Sequence, residues 1–144
     1  MQKRKGFTLI ELVVVVMILG ILAAVAAPKL LGTSGAATDN GLKQTLAVVR
    51  DAVERFTAEH GGSKPGMDDT EATLKSDLTP YLRGSFPTCP VGATNNSVKM
   101  DTAATPIAGL ASPTEGWRYR SSSGDFIVNF NGSTYDTTTT YDKL

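Results

Sequence analysis

Glu11 is the residue here whose chemistry is hardest to ignore. It follows Phe7-Thr8-Leu9-Ile10 and precedes an apolar run from Leu12 to Ala27, rich in Val, Ile, Leu and Ala. An ionised carboxylate inside an apolar helix costs about 2.5–3.5 kcal/mol at the centre of a bilayer, and less near its edge. Such a charge calls for a cation. A cut after Gly6 would supply one, the new α-amine of Phe7, one helical turn before Glu11. Within one chain that pair is local. Between chains it would set axial register, because a buried charge that must find one partner fixes alignment. The bland alternative is a carboxylate tolerated near the membrane interface.

Other reactive groups are sparse. Cys89 is the only cysteine and His60 the only histidine. One thiol closes no intrachain disulfide, and Cys89 between Pro87 and Pro90 reads as a small loop or core residue. His60 lies beside the Gly61-Gly62 stop signal and reads as exposed. No phosphate loop, metal cluster or Ser/His/Asp set stands out, so no enzyme activity is expected. Asn95-Asn96-Ser97 and Asn131-Gly132-Ser133 fit a glycosylation pattern that chance produces as readily.

The element that positions Glu11 runs from Phe7 to Ala27. As a helix it spans about 31 Å, the thickness of a bilayer's hydrocarbon core. Lys3, Arg4 and Lys5 precede it and should stay cytoplasmic, leaving the chain after Pro28 on the far side. The 14 basic and 14 acidic residues balance, which argues against a nucleic-acid partner. Without the three leading cations the balance is 11 basic to 14 acidic.

Lys5-Gly6-Phe7-Thr8-Leu9-Ile10-Glu11-Leu12 resembles the processing motif of type IV pilin-like proteins. It has the short basic leader, glycine at the cut, aromatic first residue, glutamate four residues on and apolar helix. The resemblance implies that residues 1–6 are a leader removed by a prepilin peptidase between Gly6 and Phe7. It further implies N-methylation of Phe7, and Glu11 acting in assembly and register. Residues 7–28 are then a transmembrane segment that becomes the core of a helical filament of identical chains. Phe86-Pro87-Thr88-Cys89-Pro90 and the Gly-Trp-x-Tyr…Gly-Asp-Phe pattern also resemble the smaller, secretion-type heads. The favoured member is a type II secretion pseudopilin, major and G-type, helping to drive protein export. A type IV pilus major or minor pilin is the alternative. Implied partners are further copies, minor pseudopilins and an inner-membrane assembly platform. The implied location is the bacterial inner membrane, single-pass, with a periplasmic head. Major pseudopilins carry a calcium loop near the C-terminus, whereas Asp125, Asp136 and Asp142 are scattered here without that spacing. No cofactor is expected, and calcium stays open only through the family. A competing reading is an ordinary signal peptide cut near Ala24-Val25-Ala26, which gives a soluble secreted domain starting near Ala27 or Pro28.

The remainder reads as α+β, a long helix packed on a small antiparallel sheet. Pro28 should kink or break the helix. Gly32, Gly35 and Gly41 make 29–41 a weak helix or flexible linker. The head is expected at 42–144. Leu42, Leu46, Val49, Val53 and Phe56 recur at spacings of four and three, the core face of a helix over 42–60. Thr70 reads as the N-cap of a short helix to Leu78. Ser97–Asp101 reads as a strand. Gly116–Arg120 and Asp125–Phe130 alternate as a hairpin, with Trp117 packing near Val53 or Phe56. Ser133–Thr139 is a candidate edge strand.

Overall fold

The structure, a computed structural model, describes residues 6–144. Lys3, Arg4 and Lys5 and most of the expected leader lie outside the described residues. The chain divides into two compact units, Met1–Ala36 and Ala37–Leu144. Helix α1 (Leu9–Glu59) contributes to both. The architecture is α+β, as the sequence implies.

In the first unit, every described residue from Gly6 to Lys29 is exposed. An 18-residue window here reaches a mean hydropathy of 3.0 with none of it buried. Pro28 lies inside α1 and does not end it. Nor does 29–41 uncoil, since the whole stretch is helical. Proline removes one backbone hydrogen bond, and each glycine costs about 1 kcal/mol relative to alanine. Neither cost requires a fresh nucleus when good helix adjoins both sides, and nucleation is the expensive step.

The second unit starts at Ala37, five residues earlier than the periodicity implied. Asp39 explains the difference, because it is buried against the C-terminal segment. From there Leu42, Leu46, Val49, Val53 and Phe56 are buried as their spacing requires, with Ala52 beside them. Gly61 and Gly62 follow at positive φ and stop α1.

Helix α2 (Glu71–Leu78) has Thr70 as its N-cap, whose hydroxyl accepts from the Thr73 amide at 3.3 Å. Leu74 and Leu78 reach the core. Pro80 falls in a 3-10 turn, Thr79–Tyr81. The sheet has three strands, β1 (Val98–Met100), β2 (Trp117–Arg120) and β3 (Asp125–Val128), in that order. β2 and β3 form the expected antiparallel hairpin. β1 pairs parallel to β2, Val98 facing Trp117, so the sheet is mixed and not wholly antiparallel. The long connection 101–116 permits this, since parallel neighbours need a crossover of a dozen or more residues. Ser133–Thr139 is no strand. It is a turn-rich loop closed by one bridge, Ser133 to Thr140.

Trp117, Tyr119, Phe126 and Val128 fill the inner face of the sheet. Trp117 shares the core with Val53 and Phe56, stacks obliquely on Phe126 at 5.1 Å, and donates its Nε1–H to the Pro87 carbonyl at 2.8 Å. On the opposite face, Arg118 and Arg120 bind the carbonyls of Ala108 and Thr105, holding segment 102–109 over the strands. Arg50 of α1 donates to the Phe126 carbonyl at 3.0 Å, on β3.

Candidate functional site

The N-terminus of α1 is built by two side chains. The Thr8 amide and hydroxyl both donate to Glu11 Oε2 at 2.8 Å. The Glu11 amide in turn donates to Thr8 Oγ1 at 3.3 Å. This is a reciprocal capping box, Thr-x-x-Glu, which satisfies two of the donors a helix start leaves open. It also puts a carboxylate in the first turn, where the helix dipole favours it. Gly6 and Phe7 precede the helix outside any regular element, and Phe7 is 86% exposed.

In the uncut chain the Phe7 nitrogen is an ordinary peptide amide. Glu11 therefore cannot have the amine partner expected of it, and Thr8 occupies the carboxylate instead. The sequence reading missed Thr8. Its signal was present, since threonine three residues before glutamate at the head of an apolar run is the capping-box pattern.

Elsewhere the reactive groups serve the fold. Cys89 is fully buried, its thiol directed at the Val91 carbonyl at 3.3 Å, and burial pushes the thiol pKa up. His60 stacks on Phe56 with centroids 3.9 Å apart and its Nδ1 2.8 Å from the Phe56 carbonyl. Asp125 accepts from Ser123, and Asp142 from the Gly109 amide and Thr140. Asp136 accepts from Thr134, from the Thr138 amide and from the Thr138 hydroxyl. These bonds hold its pKa down at about 2. Among the described residues, no three or more Asp, Glu, His or Cys side chains gather as a metal would need. The Asn95 side chain is engaged too, donating to the Thr114 carbonyl and accepting from the Ser97 and Gly116 amides.

Asp39 is the second residue the sequence reading missed. Its Oδ2 accepts from the Tyr135 amide and its Oδ1 from the Tyr141 hydroxyl, both at 2.8 Å. It stands three and seven residues before Leu42 and Leu46, on the apolar stripe, and that position was the available signal.

Residues 1–27 match the family model described as the prokaryotic N-terminal methylation motif. Over its first half the chain is similar to type IV pilins and type II secretion core proteins. It is 47% identical over 71 residues to fimbrial protein EcpB of Eikenella corrodens, covering 49% of this chain and 43% of that one. It is 44% identical over 62 residues to prepilin peptidase-dependent protein D of Escherichia coli, covering 43% and 42%. With the type II secretion system core protein G of Vibrio cholerae it shares 37% identity over 83 residues, 58% of this chain and 57% of that one. The chain spans about half the length of the curated relatives it matches. No solved structure matches. The pilin-like part contains the capped helix start and the exposed apolar run, so the likeness falls on the site the geometry singles out.

Proposed function

We propose that this chain is a structural subunit of a type II secretion pseudopilus, polymerising through the N-terminal part of α1 to help drive protein export. One observation carries the reading. An apolar helical surface from Leu9 to Val25 is wholly exposed and is headed by a single capped carboxylate. Such a surface cannot remain in water. A bilayer can cover it before assembly, and other copies can cover it afterwards. On this reading a prepilin peptidase cuts between Gly6 and Phe7 and the Phe7 nitrogen is methylated. Glu11 then leaves Thr8 for the Phe7 amine of a neighbouring subunit. The inner membrane holds the chain until assembly, with residues 37–144 in the periplasm. Minor pseudopilins and an assembly platform are its other partners.

A second reading, a type IV pilus subunit, is favoured by the higher identity to fimbrial protein EcpB, 47% against 37% for the Vibrio cholerae core protein G. Deleting the gene separates the two, since a pseudopilin's loss stops export and a pilin's loss removes surface fibres.

The direct test is expression in a host with the assembly machinery. N-terminal sequencing should find methylated Phe7; a start at Ala27 or Pro28 would refute the reading. Glu11→Leu and Glu11→Gln should both be processed and inserted, yet assemble poorly. A buried amine left without its partner costs about 3–5 kcal/mol. Normal filaments from both variants would show that Glu11 has no assembly role.

A further inference from the structure

The C-terminal loop of the head carries an exposed aromatic on a rigid mount. Tyr135 is 53% exposed. Its backbone is fixed by the buried Asp39 carboxylate at 2.8 Å, and the loop is closed by the Thr134 amide on the Thr139 carbonyl at 3.0 Å. The turn forces Thr137, a β-branched residue, to a φ of +55°, a conformation such residues rarely adopt. A buried carboxylate and a strained threonine are both costs to the monomer. Together they hold out a tyrosine ring, one of the side chains that most often anchors an interface. Asp136 follows it, exposed.

The same head has a matching recess. A groove of about 580 Å³ lies between α1 and the loop after the 3-10 turn, lined among others by Gly41, Val48, Arg55, Tyr81, Arg83 and Pro87. Val48 is 56% exposed there. Arg55 is paired with Asp51 at 2.8 Å, while Arg83 makes no ion pair among the described residues. The groove thus offers an apolar wall and a free cation to an incoming ring followed by a carboxylate.

Asp39, which mounts the loop, and Val48, which floors the groove, are nine residues apart on α1. At about 100° per residue they face opposite sides of the helix. One molecule cannot bring its own loop into its own groove. Two different patches on opposite sides make a heterologous contact, which propagates into a helical array when the rotation does not close.

We propose that the Tyr135–Asp136 loop of one copy seats in the Val48–Arg83 groove of the next, a head-to-head-neighbour contact within the filament. This rests on the filament reading above. The test uses the full chain in a host that assembles it. A Val48→Cys/Tyr135→Cys double variant, treated with a short bismaleimide cross-linker, should give a ladder of dimers, trimers and longer species. Each single variant should stay monomeric, since its one exposed thiol faces no second thiol in this contact, and native Cys89 is buried and does not compete. Tyr135→Ala should lower assembled protein about tenfold or more, on the scale of an interface anchor, with Trp117 emission unchanged. Arg83→Glu should also assemble poorly, and Arg83→Lys, which keeps the charge, should assemble like wild type. Filaments without a ladder, or Tyr135→Ala assembling like wild type, would overturn the contact and leave the filament reading standing. No filaments from the wild-type chain would overturn both.

Discussion

Removing the Asp39 carboxylate should loosen the head at a calculable cost. Asp39 accepts two hydrogen bonds, from the Tyr135 amide and the Tyr141 hydroxyl, each 2.8 Å long. A bond to a charged acceptor contributes about 1.5–3 kcal/mol. Tyr141 is only half-buried, so water can replace part of the loss, and the low end of the range applies. Asp39→Ala should then cost about 3 kcal/mol, and Tyr141→Phe about 1.5 kcal/mol. The two share one bond, so the double variant should lose less than the sum by about 1 kcal/mol or more. The assay is urea unfolding of residues 35–144, followed by the emission of Trp117, the only tryptophan and fully buried. With a slope of about 1–3 kcal/mol per molar urea, a loss of about 3 kcal/mol moves the midpoint down by about 1–3 M. Burial, followed by the bond to Asp39, raises the Tyr141 phenol from 10.0 to about 12. A raised folded pKa means that this stability is complete below about pH 10 and is lost as pH rises through about 12. Tyr141→Phe should abolish that alkaline loss. An Asp39→Ala head within about 0.5 kcal/mol of wild type, the scatter of ordinary surface substitutions, would refute the argument.

Three further outcomes follow from single sites. Tyr119 is fully buried and its hydroxyl has no hydrogen-bond partner among the described residues; Tyr119→Phe removes a buried unsatisfied group and should leave stability unchanged or raise it by about 1 kcal/mol, measured by the same unfolding curve. A Cβ at Gly116 would lie 2.5 Å from the Asn95 carbonyl oxygen and 2.7 Å from Cys89 Cβ; Gly116→Ala should cost about 3 kcal/mol or more, a large effect for one methyl, and a loss under about 1 kcal/mol would count against this packing. Asp136 should titrate near pH 2 by carboxyl carbon resonance, its three donors stabilising the loop above about pH 4 and releasing it as pH falls through about 2; Thr138→Val should move that midpoint up towards 3.8.

The sequence was most legible where a period and a contact coincide. The stripe from Leu42 to Phe56 and the alternation around Trp117 and Phe126 each name a face, and the core lies on those faces. It was less legible where a residue has two competing roles. Glycines argue against helix at 29–41, yet the helix continues, because continuation avoids a second nucleation. Strand direction is not written in β1, whose three residues read the same either way; the path of 101–116 decides it. Asp39 is polar on an apolar stripe, and its partners lie 96 and 102 residues away. No local pattern announces such a bond. Thr8 differs, because its partner is three residues on and the Thr-x-x-Glu pattern is local.

Arg50 has a consequence for how copies of this chain can meet. A sheet in which β1 and β3 are the outermost strands offers backbone donors and acceptors to any passing extended segment. At β3, the guanidinium of Arg50 already occupies the Phe126 carbonyl and reaches on to the Leu144 carbonyl at 2.9 Å. At β1 there are only three residues, with Lys99 exposed among them. Copies held side by side, as the proposed filament requires, would risk strand-swapped aggregates. By plugging part of one edge and shortening the other, the head offers edge-to-edge sheet growth a poor template.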